Sequence, residues 1–416
     1  MTLSWMAVLG DRDWDPTLRL RQLRDRIRSS LWFAPAIAVA GAIAVASVLV
    51  FLDRRVLSDA TGFIYFEGGP ESARELLSAI TTAMLTFTAL VFSITILALQ
   101  LASNQLSPRA IRTFLQEKTT KLALATFVGT FVYAMAVLSR VRTSPAFVPS
   151  LATWAALVLV LASVAVFIKY IHQMSHSVRA ITVITKIADE TRRAFDRTFP
   201  EHCEPVPVVL PAGAPDEIIR HTGPGAVITF VDEDRLVSLA KDSQCVVELV
   251  PRIGDFVPTN APLLCVWGSP VLVEPLRAAV ALDIERTIEQ DPAFGFRQLV
   301  DIAVRSLSPG INDPSTAVQA IDHLHDLLRR LTTCDFPSRV RHDDQGQVRV
   351  FIPALGYDEY VRLAVEEIRE YGHDSIQVSR KLEAVLADCA SLAPPERRAV
   401  LHEQLRLLRT PRAQAA

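Results

Sequence analysis

The sequence has no strong charge of either sign and few cysteines for its length. Lysine and arginine together number 43 against 45 aspartate and glutamate residues, so the formal net charge of the 416 residues is -2. Nucleic-acid-binding proteins usually carry a basic surface, and this balance therefore argues against a nucleic-acid partner. The five cysteines are odd in number and lack the spacing of metal ligands. Neither a disulfide framework nor a metal site is predicted.

Familiar catalytic and cofactor-binding motifs are also missing. No phosphate loop, dinucleotide fingerprint, two-histidine metal motif or nucleophile elbow occurs at the required spacing. The turn from Gly254 to Leu263 resembles the turn of biotinyl- and lipoyl-type carrier domains, but it has no lysine at its tip. That resemblance implies a small barrel-like module without an attached cofactor. We predict neither a cofactor nor an enzymatic activity.

Long hydrophobic runs are abundant in the first part of the chain. Hydrophobic residues make up 50% of the sequence, and nearly all long uncharged runs lie before residue 171. A helix needs about 20 such residues to cross a hydrocarbon core of about 30 Å. The alternative for the first run is a signal peptide, but the run ends in Asp53-Arg54-Arg55 instead of a small-residue cleavage site. Four transmembrane helices are therefore predicted, at residues 31–52, 76–99, 122–138 and 147–168.

The orientation follows from the basic residues near the helix ends. Fourteen lysine and arginine residues precede the first run, fill the second loop or follow the fourth run, whereas five lie in the first and third loops. Cytoplasmic loops carry the excess of lysine and arginine. We expect a multi-pass protein of the bacterial inner membrane with both termini in the cytoplasm.

The second hydrophobic run differs from the others in its hydroxyl content. Small and polar side chains recur along one helical face at steps of three, four or seven. Such residues let membrane helices approach closely and hydrogen-bond, or they line a water-filled path in an oligomer. We expect the lipid bilayer and further copies of the chain as partners. The candidate face consists of Ser78, Thr82, Thr86, Ala89, Ser93 and Gln100.

Beyond the membrane helices the sequence predicts a mixed α+β cytoplasmic domain. A basic segment, 1–30, precedes the membrane part, 31–171, and a helical connector follows it at 172–200. Strands are expected at 226–231, 246–250 and 263–267, and again at 347–352. Helices are expected at 233–241, 275–290, 294–307, 315–332, 358–371, 375–389 and 395–408. The predicted divisions are a β-rich module at 201–270, a mainly helical domain at 271–410 and a disordered tail at 411–416.

The densest polar constellation of this domain lies between Arg297 and Thr316. Arg297, Asp301 and Arg305 are four residues apart, which puts one carboxylate between two guanidinium groups on a helix face. Asp313 is placed to cap the next helix, with Pro314 at its first position. We expect a structural ion-pair network; the alternatives are a small-anion site that uses the arginines and the amides at the helix start, and a catalytic site. The candidate residues are Arg297, Asp301, Arg305, Asn312, Asp313 and Thr316.

Two segments carry a resemblance to a known family. Arg297–Ala317 and Thr88–Arg109 resemble an uncharacterised family of predicted bacterial membrane proteins, catalogued as a domain of unknown function. The similarity extends from about Leu31 to beyond Leu386. It implies the membrane topology and a bacterial origin, and it implies no activity, substrate or catalytic residue.

Two functions are consistent with these patterns. The first is an oligomeric channel-like or transport-related protein that is regulated by its cytoplasmic domain. The alternative is a non-transporting membrane scaffold or sensor whose cytoplasmic domain binds a small anion or a protein partner.

Overall fold

The computed structural model describes residues 32–56, 68–105, 118–144, 146–177, 179–199, 211–268 and 273–410. These residues fall into two compact units, which divide between Val183 and Ile184. We call them the membrane domain and the C-terminal domain. The predicted segments 1–30 and 411–416 lie outside the described residues.

Four long helices build the membrane domain. Each contains a segment long and apolar enough to cross a membrane, which confirms the four predicted transmembrane helices. The second helix begins at Gly69 instead of residue 76, because its charged first turns continue the helix beyond the apolar run. A short antiparallel hairpin joins the third and fourth helices. The elements are α1 (Phe33–Val56), α2 (Gly69–Gln105), α3 (Lys118–Leu138), β1 (Arg142–Thr143), β2 (Ala146–Phe147) and α4 (Ser150–Ser177).

The third helix is the centre of this bundle, since α3 packs against α1, α2 and α4. A buried carboxylate ties two helix ends together. Asp53 of α1 accepts hydrogen bonds from the amides of Leu151 (3.0 Å) and Ala152 (3.1 Å) at the start of α4. The negative carboxylate thus satisfies amides that the first turn of a helix leaves without partners. Tyr133 of α3 also donates to the carbonyl of Ala152 at 2.9 Å.

The C-terminal domain is a mixed α/β structure with two sheets among its described residues. A five-stranded sheet has the order β3-β7-β5-β10-β9, and a three-stranded sheet has the order β6-β4-β8. The β5–β10 pair is parallel and the other pairs are antiparallel. The strands are β3 (Glu217–Arg220), β4 (Ala226–Val231), β5 (Cys245–Leu249), β6 (Phe256–Val257), β7 (Pro262–Gly268), β8 (Val280–Asp283), β9 (Val340–His342) and β10 (Val348–Phe351).

The sheets cross the boundary expected at residue 270, because β8 pairs with β4 and β10 pairs with β5, and both partners lie before it. The helix predicted at 275–290 is wrong for most of its length. A short helix ends at Ala278, and β8 follows, pairing Val280 with Val231 and Leu282 with Ile228 of β4. Burial of these side chains against a distant strand outweighs the helical pattern of the segment.

Helices form the rest of the C-terminal domain. Asp232 caps α6 as predicted and accepts a hydrogen bond from the amide of Arg235 at 3.2 Å. The helices predicted at 294–307, 315–332, 358–371, 375–389 and 395–408 are all present within a few residues of those bounds. They are α5 (Ala180–Thr198), α6 (Glu233–Asp242), α7 (Val273–Ala278), α8 (Pro292–Ser306), α9 (Pro314–Thr333), α10 (Tyr357–Tyr371), α11 (Ile376–Leu392) and α12 (Arg398–Arg409).

From Ile184 onward, helix α5 belongs to the C-terminal domain and lies in its core. Phe195 of α5 packs against Phe296 of α8, with ring centroids 5.9 Å apart, and Phe296 packs against Tyr360 at 5.2 Å. The two helices approach so closely that a Cβ on Gly295 would overlap the side chain of Thr191. Glycine at this position therefore sets the distance between α5 and α8.

Candidate functional site

The predicted polar face of α2 points away from the core of the membrane domain. Ser78, Thr82, Thr86, Ser93 and Gln100 are all exposed in the single chain, as is Ala89. The opposite face of α2 is buried against the other helices; its core residues are Ala73, Leu77, Ile80, Met84, Val91 and Ala98. The small and polar residues therefore lie on the outside of the four-helix bundle.

The hydroxyl groups of this face differ in their hydrogen bonds. Thr82 donates to the carbonyl of Ser78 at 3.1 Å, and Thr86 donates to the carbonyl of Thr82 at 3.0 Å. Within the described residues, the side chains of Ser78, Ser93 and Gln100 make no hydrogen bond. The face thus combines satisfied threonine hydroxyls with two serines and an amide that are open to a partner outside the chain.

The C-terminal constellation centres on Arg297. Its Nε donates to Asp301 at 2.8 Å, and its Nη2 donates to Glu367 at 2.8 Å while Nη1 contacts the second oxygen of the same carboxylate. The hydrogen bond with Glu367 is the main cause that raises the pKa of Arg297, and the bond with Asp301 adds to it. Sequence spacing found the Asp301 contact and missed Glu367, because Glu367 lies on α10, 70 residues away.

The start of α9 is already occupied by a carboxylate of the chain. Asp313 accepts hydrogen bonds from the amides of Ser315 and Thr316, both at 3.1 Å, and from the hydroxyl of Thr316 at 2.6 Å. The hydroxyl bond is the main cause that lowers the pKa of Asp313. Asn312 precedes it with a positive φ of 48°, a conformation that asparagine tolerates better than most residues. The predicted cap is confirmed.

These contacts bear on the anion-site alternative. An external anion would need the Arg297 guanidinium, which binds two carboxylates, and the amides at the start of α9, which bind Asp313. Arg305 is half-buried two helical turns beyond Arg297 on α8. The geometry favours the ion-pair network over recognition of an external anion at Arg297 or the helix start.

A second cluster in this domain was not found from the sequence. His325 Nε2 lies 2.8 Å from a carboxylate oxygen of Asp388, and the thiol of Cys389 completes a group of three potential metal ligands within 4.8 Å of one another. Arg329 donates to both oxygens of Asp388, at 2.8 and 2.6 Å. Burial raises the pKa of Cys389 to about 11, so its thiol stays protonated at neutral pH. A cationic guanidinium and a protonated thiol both oppose metal binding here.

The comparisons with known proteins agree with the membrane architecture. The family model described as "Predicted membrane protein (DUF2254)" matches residues 28–388. The chain is 32% identical over 409 residues to an uncharacterised protein of Mycobacterium bovis and to one of Mycobacterium tuberculosis. Each alignment covers 94% of this chain and 77% of the relative. No solved structure gives a significant match.

Proposed function

The chain belongs to the DUF2254 family of predicted membrane proteins, and we propose that it assembles with copies of itself through α2 into a channel-like or transport-related oligomer. The observation that carries this proposal is the exposure of the polar face of α2. In a bilayer, unsatisfied polar groups are costly when they face lipid, and they are covered by another helix or by water. A neighbouring copy would supply the covering helix, and a path between copies would supply the water.

The spacing on α2 suits close contact between helices. Ser78, Thr82 and Thr86 follow one another at intervals of four residues, and each has a small side chain. Small residues at this spacing let the backbones of two membrane helices approach closely. Ser93 and Gln100 continue the same face toward the end of the crossing segment, where their free polar groups are available to a partner or to water.

The orientation proposed for this oligomer places both termini in the cytoplasm of a bacterium and the chain in the inner membrane. This orientation is supported by the excess of lysine and arginine before the first hydrophobic run, in the second loop and after the fourth run. An impermeant thiol reagent added to intact cells should label Gly62→Cys and leave Gly225→Cys unlabelled. The opposite labelling would refute the orientation.

The C-terminal domain is proposed to regulate the membrane domain through α5. Only Val178 and Arg179 separate the end of α4 from the start of α5. The buried face of α5 packs in the core of the C-terminal domain, so a rearrangement of that core would act directly on the chain that leads to α4.

A non-transporting scaffold or sensor is the second candidate, and the threonine hydrogen bonds favour it. The hydroxyls of Thr82 and Thr86 are already bonded to their own helix, so this part of α2 can pack against a neighbouring helix without a water path. In this alternative the same face joins copies of the chain but conducts nothing.

Cross-linking tests the assembly that both candidates share. In a variant without native cysteines, Ser93→Cys should form cross-linked dimers in native membranes with a short bifunctional thiol reagent. Leu161→Cys is the matched control, because Leu161 is 71% exposed on α4, outside the proposed contact. Equal cross-linking at the two positions, or none at Ser93→Cys, would contradict assembly through α2.

A further inference from the structure

A groove lies on the side of the membrane domain between α1 and α3. Its volume is about 310 Å³, which is within the range of small-molecule sites. Half of the lining residues are alanine or glycine, namely Ala38, Gly41 and Ala42 on α1 and Ala125 and Gly129 on α3, and Leu159 of α4 also contributes to the wall. The groove exists because alanine and glycine have side chains too small to fill the space between α1 and α3.

The two glycines have different parts in its shape. A Cβ on Gly129 would lie 3.3 Å from the Cβ of Ala38, so glycine here lets α1 and α3 pack closely at the floor of the groove. A Cβ on Gly41 would meet nothing within 4 Å. Gly41 therefore faces the open space of the groove, and a larger side chain at this position would fill it.

The groove offers no free hydrogen-bonding group from its hydroxyl residues. Thr126 donates to a carbonyl of its own helix at 2.8 Å, Thr130 shares a hydrogen bond with Ser163 at 3.2 Å, and Tyr133 donates to the carbonyl of Ala152 at 2.9 Å. Apolar cavities stay dry and bind apolar molecules. The occupant that fits this wall is a hydrocarbon without polar groups.

We propose that this groove binds an acyl chain of a membrane phospholipid. All residues of its wall lie inside segments that can cross the bilayer, so the medium at its open side is hydrocarbon. The wall extends over residues 125–133 of α3, about 12 Å of helix. This length lies in the middle of the crossing segment, away from the headgroups. The site therefore selects a chain by shape and does not select a headgroup.

A helix from a second copy is a poorer occupant for this groove. The exposed face proposed to join copies carries Ser93 and Gln100, whose polar groups need partners. The groove would leave those groups unpaired, whereas a methylene chain loses nothing against the same wall. The acyl-chain site is thus distinct from the α2 contact and does not depend on the oligomer.

Photo-crosslinking of the full chain in liposomes tests the site. The probes are phosphatidylethanolamine and phosphatidylglycerol with a diazirine in one acyl chain, and labelled peptides are identified by mass spectrometry. We expect label in residues 38–45 and 125–133, with the same yield for both headgroups. Gly41→Leu and Ala125→Leu fill the groove from opposite walls and should each lower this label several-fold. Ala44→Leu is the matched control, since Ala44 is exposed on α1 outside the groove and should keep the label.

Three results would overturn the proposal. Equal labelling in the control and in both groove-filling variants would show that the lipid contact is not specific to the groove. A strong preference for one headgroup would point to a headgroup site. Loss of cross-linked dimers in the groove-filling variants with unchanged lipid labelling would make a second copy the occupant. If Gly41→Leu fails to fold, Ala125→Leu gives the same comparison from α3.

Discussion

The threonines of the membrane helices and the charged side chains of the C-terminal domain obtain their hydrogen-bond partners in different ways. In the membrane domain, threonine hydroxyls repeatedly bond to the backbone of their own helix, as Thr88 does to the carbonyl of Met84 at 2.8 Å. In the C-terminal domain, charged side chains bond across elements far apart in sequence, as Arg297 does with Glu367. Local satisfaction suits a helix in lipid, where no water replaces a missing partner. A domain with a water-accessible surface can rely on longer connections.

This difference extends to glycine. Gly295 lies where two helices of the C-terminal domain are in contact, whereas Gly41 faces open space in the membrane domain. The same substitution should therefore have opposite consequences in the two domains.

The largest effect is expected for Gly295→Ala. The added Cβ would overlap Thr191 Oγ1 and lie 2.8 Å from Thr191 Cβ and 2.9 Å from Thr191 Cγ2. Overpacking of this kind costs about 1 to 3 kcal/mol, which corresponds to roughly 2 to 12 °C in melting temperature for a domain of this size. The measurement is thermal unfolding of the full chain in detergent.

Gly41→Ala is the matched control for this variant. It introduces no clash and adds a good helix former, so any change should be small and stabilising, about 1 kcal/mol or less. Thr191→Ala should recover part of the stability lost in Gly295→Ala, because it removes Oγ1 and Cγ2, two of the three atoms that the new methyl group meets. Comparable losses in the two glycine variants would contradict the packing assigned to α5 and α8.

A smaller effect is expected for Asp301→Asn. Arg297 loses one of its two carboxylate partners but keeps Glu367, and both charged groups are partly solvated. We expect a loss of about 1 kcal/mol, at the upper end for exposed ion pairs and below the cost of breaking a buried one. Glu367→Gln is the comparison, and a smaller loss is expected because Glu367 is the more exposed carboxylate.

Phosphate distinguishes this network from an anion site. If Arg297 serves only the network, phosphate should raise the melting temperature of Asp301→Asn no more than that of the parent. An Asn variant as stable as the parent, with stronger stabilisation by phosphate, would refute the structural role and identify a binding site.

The parts of the fold that the sequence predicts are those with local causes. The four membrane helices follow from uncharged length, and the caps by Asp232 and Asp313 follow from residues at the helix start itself. The polar face of α2 is likewise a matter of helical spacing. The exposure of this face cannot be predicted from helical spacing, because the sequence alone does not show which face of α2 the other helices cover.

The parts that the sequence does not predict depend on distant contacts. The segment around Val280 has a helical pattern, but pairing with Val231 makes it a strand. Glu367 meets Arg297 only when α8 and α10 pack together, and His325 meets Asp388 only when α9 and α11 pack together. Such contacts bring together residues about 50 to 70 positions apart, for which a single sequence carries no periodic signal.

The most direct test of the proposed function is ion flux through the purified chain in liposomes. With a potassium chloride gradient, the parent should conduct, Ser93→Trp should block flux while native mass measurements still show the oligomer, and Leu161→Trp should conduct like the parent. The indole ring would fill a path lined by α2 in the first variant and would face lipid in the control. No flux from the parent, or equal flux from all three, would contradict a path along α2. Loss of the oligomer in Ser93→Trp would instead support the packing face of a non-transporting scaffold.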